Sequence, residues 1–133
     1  MKEINVKATI ENISAITDFI NNELDLYNCP EKEKIKIDIV IDELITNIAK
    51  YAYGSDIGDV TVQVEIDKNN IYMKFIDSGI PYNPMEQAEP DVSLSVEDRP
   101  VGGLGIFLVK KLMDKMEYGY IDEKNILKIQ KCF

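Results

Sequence analysis

Histidine is absent from the 133-residue chain. That excludes Ser-His-Asp and Cys-His catalysis, histidine-ligated metals and a phosphohistidine on this chain. Cysteine is scarce, and Cys29 and Cys132 are too far apart in sequence for a zinc-ligand pattern or a disulfide framework. Reduced thiols are therefore expected, as is usual in the cytoplasm. Basic residues are outnumbered, 15 Lys and Arg against 24 Asp and Glu, which gives a net charge of −9. Binding to nucleic acid or to an anionic membrane needs a basic face, so neither partner is expected. Lys110, Lys111 and Lys115 are the only candidates for a local basic patch, and a solvated helix face explains them better. Long apolar runs are also missing. Nothing approaches the ~20 residues that a membrane-spanning helix needs, and the N-terminal MKEINVKATIENIS lacks the apolar segment of a signal peptide. The expected location is cytoplasmic.

What is present suits a single domain over residues 1–133, since a chain of this size hides roughly two-thirds of its unfolded surface. Ile4, Val6, Ala8 and Ile10 alternate with polar residues and predict a half-buried strand. Ile13, Ile16, Ile20, Leu24 and Tyr27 recur at helical spacing, with Asn12 or Ser14 as the candidate cap. Pro30 suits a first helical turn, and Glu31 and Glu33 complement the positive end of the helix dipole. Ile37, Ile41, Leu44, Ile48 and Ala52 then predict a long helix running to about Tyr53 and stopped by Gly54. Val60 to Ile66 and Ile71 to Phe75 alternate as a hairpin with its turn over Asp67 to Asn70. Residues 80–101 hold four prolines and no periodicity, and a loop of this length is usually functional or disordered. Gly102, Gly103 and Gly105 open a last helix whose apolar stripe is read as Phe107, Leu108, Leu112, Met113 and Met116. Glu117 to Ile121 and Ile126 to Ile129 close the chain as a second hairpin.

Three stretches can carry chemistry. Glu43 and Asn47 lie four residues apart, so both project from one face of the long helix beside its apolar stripe. A carboxylate there can orient or deprotonate a nucleophile, and an amide oxygen can hold Mg²⁺. The plain alternative is a solvated pair on an amphipathic helix. Asp77 follows an apolar strand and precedes Ser78-Gly79. A carboxylate at a strand end can accept from an exocyclic amine such as adenine N6, and Gly79 would let a flat base approach the backbone. An ordinary turn is the alternative. The glycines at 102, 103 and 105 precede a helix, whose free N–H groups suit phosphates. They also suit a simple hinge. The stretch is neither a Walker loop, since GKS or GKT is missing, nor a dinucleotide fingerprint.

Taken in order, IDELITNIAKYAY, FIDSGIPYNP and RPVGGLGIFLVKKLMD resemble the GHKL, or Bergerat-fold, ATP-binding domain. Within it the chain is similar to the anti-sigma-factor serine/threonine kinases, and the likeness covers nearly its whole length. The resemblance implies an α/β (α+β) two-layer sandwich. Its sheet would be mixed with helices on one face, and ATP would lie between helices under a lid. It implies Glu43 as the general base for a substrate hydroxyl and Asn47 as the Mg²⁺ ligand that bridges to the phosphates. Asp77 would read adenine, with Gly79 beneath the base. Gly103 and Gly105, flanking Leu104, would meet phosphate through their N–H groups, and Lys50 or Arg99 would steady the γ-phosphate. The chain departs from the pattern near its last strand. Related domains often carry Gly-Thr there, with the hydroxyl supporting the adenine pocket, and this chain has Glu123-Lys124-Asn125-Ile126.

The implied activity is direct transfer from Mg-ATP to a serine or threonine of an anti-anti-sigma (STAS-type) protein, together with sequestration of a sigma factor. A homodimer is a further candidate, since the family commonly dimerises. Two other readings stay open: an ATP-responsive partner-switching module with little or no kinase activity, and a plain α/β interaction domain.

Overall fold

The computed structural model describes residues 1–86 and 103–133. Five strands form one sheet: β1 (Lys2–Lys7), β2 (Asp59–Asp67), β3 (Asn70–Asp77), β4 (Lys115–Ile121) and β5 (Lys124–Cys132). Among the described residues, three α-helices accompany it: α1 (Ile13–Leu26), α2 (Glu31–Asn47) and α3 (Gly103–Leu112). Among the described residues, no helix is long and apolar enough to cross a membrane.

The strand order is β1-β2-β3-β5-β4, and every neighbouring pair is antiparallel. The two-layer α/β class stands, but the sheet is not mixed as expected. The physical reason is where the last hairpin sits. The connection through α3 returns β4 in the same direction as β3, which would make a parallel pair if the two were adjacent. The tight β4–β5 hairpin places β5 between them instead, so the parallel relation is never expressed as pairing.

Register explains why one face is covered. Val62, Phe75 and Leu127 stand in one cross-strand row, and Val64, Met73 and Ile129 in the next. All six are buried in one core with Ile16, Ile20 and Leu24 of α1, Ile37, Val40, Ile41, Leu44 and Ile45 of α2, and Ile106 and Val109 of α3. Strand side chains alternate with period two, so the intervening residues fall on the face away from the helices. There Gln63, Lys74 and Lys128 form a polar row. Filling the helix-covered face is the main source of stability, at about 1.5–3 kcal/mol for each large apolar side chain withdrawn from water.

Several local expectations need correction. Asn12 precedes α1 but does not cap it; its Nδ2 donates to the Lys7 carbonyl at 2.8 Å. The long helix is not uniform to Tyr53. It is α-helical to Asn47 and continues as a π-turn over Ile48–Ala52 before Gly54, at φ +62°, ends it. The last helix stops at Leu112 because the Asp114 N–H is taken by the Gln130 carbonyl at 2.9 Å, which starts the β4 ladder. Met113 is still buried, but Met116 reaches the core from β4 rather than from the helix. Both hairpins turn over two residues, Lys68-Asn69 and Asp122-Glu123, and Asp122 and Glu123 both hold positive φ. Cys29 is buried and Cys132 exposed, and both are free thiols.

Candidate functional site

A cleft opens where the end of α2, the π-turn and the start of α3 lean over the ends of β3 and β5. It holds about 490 Å³ of atom-free space, part of it open to solvent. Its walls are mainly apolar, from Leu44, Ile48, Phe75, Ile106 and Leu127, and Asn47, Asp77 and Asn125 supply polar groups. Tyr51 and Tyr82 face each other at its mouth, with ring centroids 6.4 Å apart.

Asp77 is the last residue of β3 and is buried at 7% exposure. Its alternation partner Phe75 points into the core, so the same two-residue period sends the Asp77 carboxylate to the helix-covered side. Asp77 Oδ1 accepts from the Gly79 N–H at 2.9 Å and from Asn125 Nδ2 at 2.9 Å. Burial pushes its pKa up, and those two donors pull it back only in part. The turn that follows is held by Tyr53. Its hydroxyl donates to the Asp59 carbonyl at 2.5 Å and accepts from the Ser78 N–H at 2.8 Å. Gly79 is buried against the π-turn, where a Cβ would overlap the Ala52 carbonyl and Cβ. The next residue, Ile80, donates its N–H to that carbonyl at 2.8 Å. Gly79 is thus a close-approach glycine.

Glu43 and Asn47 sit on the face of α2 turned toward α3. Both are half-buried, and Asn47 lines the cleft. The Glu43 carboxylate packs against Gly105, where a Cβ would overlap Oε2. Gly103 opens α3 and Gly105 is its third residue. The structure therefore brings Asn47 and Asp77 to one cleft and sets Glu43 and Gly105 together beside it, while Gly79 packs against Ala52 rather than lining the cleft. Lys50 is exposed in the π-turn and is not part of the lining. Arg99 lies outside the described residues, as does the side chain of Leu104. Lys110 is engaged rather than part of a free basic patch: its Nζ donates to the Met85 carbonyl at 3.2 Å. Lys111 lies over the Phe107 ring at 5.2 Å.

Sequence reasoning missed Asn125, Tyr118 and Tyr53. Asn125 is buried at 6% exposure, and all of its amide capacity faces this site. Nδ2 donates to Asp77 Oδ1 and to the Ile80 carbonyl, each at 2.9 Å. Oδ1 accepts from the Tyr82 N–H at 3.1 Å and from the Tyr118 hydroxyl. The only sequence signal was the departure itself, an asparagine near the place where related domains put a hydroxyl.

The arrangement suits a nucleotide: a flat apolar slot with a carboxylate at its inner end, and a carboxylate and an amide beside the glycine-rich start of a helix. For Mg²⁺ the fit is partial. No group of three or more His, Cys, Asp or Glu side chains forms a metal cluster among the described residues. Asn47 would contribute one hard oxygen, and phosphates and waters would complete the shell.

An antiparallel sheet roofed on one face by three helices, with a cleft of this kind at one end, defines the GHKL class of ATPase domains. Comparison with known proteins agrees. The family model described as the histidine kinase-like ATPase domain matches residues 6–131. The chain belongs to the histidine kinase-like ATPase domain family. It is similar to proteins named serine-protein kinase RsbW: 30% identical over 93 residues to that of Bacillus thuringiensis (strain Al Hakam) and 28% to that of Bacillus mycoides (strain KBAB4). Each match covers 67% of this chain and 58% of the relative, so the matched stretch is little more than half of those proteins. Among solved structures, the RsbU and RsbW domains of Rv1364c from Mycobacterium tuberculosis superpose with a TM-score of 0.63 at 13% identity, over 99% of this chain and 32% of that one. The catalytic domain of histidine kinase ThkA, nucleotide-free, gives 0.57 at 13% identity over 99% and 96%. At such identities the likeness concerns the fold alone.

Proposed function

We propose that residues 1–133 act as one ATP-binding domain that transfers the γ-phosphoryl group of Mg-ATP to a serine or threonine of a partner protein. One observation carries the reading. The Glu43 carboxylate lies against Gly105 at the start of α3, one helical turn before Asn47, which lines the same cleft as Asp77. A nucleotide with its base at Asp77 and Gly79 and its phosphates toward Asn47, Gly103 and Gly105 would end beside Glu43. Glu43 would orient the incoming hydroxyl and take its proton. Asn47 would hold Mg²⁺, which supplies charge neutralisation on the phosphates when bound. The N–H groups at the start of α3 would face anionic oxygens. Arg99, from the segment before α3, or the exposed Lys50 would add a cation.

The relatives named serine-protein kinase RsbW support serine as the acceptor. By analogy the partner is an anti-anti-sigma protein of STAS type, and the regulatory output is sequestration of a sigma factor in the cytoplasm. A homodimer would be the functional assembly. The test is to incubate the purified chain and Mg-ATP with a STAS-type protein of the same organism, then look for phosphoserine or phosphothreonine by mass spectrometry. Transfer with wild type that is lost in Glu43→Ala, while ATP still binds, supports the kinase. ATP binding by both proteins with no transfer by either favours a partner-switching module without kinase activity.

A further inference from the structure

We propose that Asn125 is the positioning residue that sets the base specificity of the cleft: it ties down Asp77 by Oδ1 and leaves Oδ2 as an acceptor for a purine 6-amino group. This rests on the nucleotide-site reading and goes beyond it, because it assigns a role to a residue that departs from the family's motif. The orientation of the amide is unambiguous. Two donors, the Tyr82 N–H and the Tyr118 hydroxyl, converge on its Oδ1. Two acceptors, Asp77 Oδ1 and the Ile80 carbonyl, face its Nδ2. A flipped amide would oppose like groups at three of the four contacts, all but the Tyr118 hydroxyl, which can also accept. Every hydrogen bond to the Asp77 carboxylate among the described residues falls on Oδ1.

The consequence for specificity is chemical. A purine with a 6-amino group offers a hydrogen where one with a 6-oxo group offers a lone pair. An ionised Asp77 can only accept and favours the former; a protonated Asp77 could donate to the latter. Burial pushes Asp77 toward the protonated form, and the Asn125 amide is the first of the two groups that oppose it. The other titratable groups that sense Asp77 are Tyr53 and Tyr118, both raised mainly by burial, so neither supplies a compensating cation. Asn125 thus keeps the pocket an acceptor. It also fastens the Ile80–Tyr82 backbone over the same site.

The experiment compares Asn125→Thr with Asn125→Val, which are nearly isosteric and differ in one hydroxyl donor. Binding of Mg-ADP and Mg-GDP to the full chain is measured by calorimetry across pH. The expectation is that threonine keeps ADP affinity near wild type. Valine should lose about tenfold, the worth of one hydrogen bond to a charged group. Valine should also narrow the ADP-over-GDP preference and move the pH below which ADP affinity fades to a higher value. A merely structural role would weaken both nucleotides alike and leave the pH profile in place. Valine and wild type with equal ADP affinity, equal preference and equal pH profile would overturn the proposal while leaving the nucleotide site intact. Wild type that binds neither nucleotide would overturn both. If the valine variant does not fold, Tyr118→Phe releases the Asn125 amide from its donor, and the same selective loss for ADP is expected; an unchanged preference there overturns the assignment.

Discussion

At both Gly79 and Gly105 an added Cβ would overlap a neighbour, but of different kinds, and alanine at each position separates stability from chemistry. At Gly105 the atoms a Cβ would meet belong to Glu43, chiefly Oε2, the far end of a flexible side chain. Glu43 can swing away without moving backbone, and alanine in a helix is favoured over glycine by at most about 1 kcal/mol. Stability should therefore hold or rise slightly. The proposed base, however, is displaced from the start of α3, and misplacing a catalytic group by an ångström costs on the order of 10²-fold in rate. At Gly79 the Cβ would meet the Ala52 carbonyl. Backbone must shift, and the 2.8 Å bond from the Ile80 N–H to that carbonyl is lost. Overpacking costs roughly 1–3 kcal/mol and the hydrogen bond about 1 kcal/mol more. For a chain this size that lowers Tm by roughly 3–5 °C per kcal/mol. Thermal unfolding, ADP titration and ATP turnover on the two variants give the pattern. Gly105→Ala keeps its Tm and ADP affinity and loses turnover. Gly79→Ala loses Tm and affinity together. A Gly105→Ala protein with wild-type turnover, or one destabilised as much as Gly79→Ala, would refute the reasoning.

Three other outcomes follow from the same structure. The Asp77 pKa is raised by burial, so the folded state binds a proton more tightly than the unfolded chain does. Stability of the ligand-free protein then falls as pH rises from the ordinary aspartate range through the raised value, and Asp77→Asn should have a higher Tm than wild type at neutral pH while losing ADP protection. Lys131 is buried at 7% exposure and meets Glu33 at 3.2 Å. Burial of Glu33 is outweighed by Lys131 and Lys36, so its pKa is lowered; that part of the stability is present above the ordinary glutamate pKa and is lost as pH falls through the lowered value. Glu33→Gln should destabilise at neutral pH, by about 1–3 kcal/mol in denaturant titration, because Lys131 is left without its partner, and it should flatten the acid limb. Glu123 holds a φ of +63° in the β4–β5 turn. Glu123→Gly should stabilise by up to about 1 kcal/mol, read as a shift in the urea midpoint, since the left-handed conformation costs a non-glycine residue roughly 1–2 kcal/mol.

What could be read in the sequence was what short-range chemistry fixes. Glu43 and Asn47 face one way because four residues make about one turn. Asp77 turns inward because it keeps step with Met73 and Phe75. The features that escaped depend on partners far along the chain or on hydrogen bonding that leaves no periodic trace. The π-turn over Ile48–Ala52 keeps Ile48 and Ala52 on the core side just as an α-helix would, so spacing cannot reveal it. Met116 continues an apolar pattern, but the Gln130 carbonyl captures the Asp114 backbone and converts the segment to a strand. The pairing of β5 with β3, rather than of β4 with β3, follows from hairpin closure and not from composition. Asn125 falls just outside the predicted strand Ile126 to Ile129, and its partners Asp77, Ile80, Tyr82 and Tyr118 are spread over the chain, so no local pattern marks it.

The most direct test of the central claim, an adenine-nucleotide site built on Asp77, is thermal unfolding of the wild-type protein with and without millimolar Mg-ADP, alongside Asp77→Asn. Ligand that binds only the folded state adds about 2.7 kcal/mol at 100 times its dissociation constant. A rise of several degrees in wild type that vanishes in Asp77→Asn is the predicted result. The same Tm for wild type with and without nucleotide would contradict it.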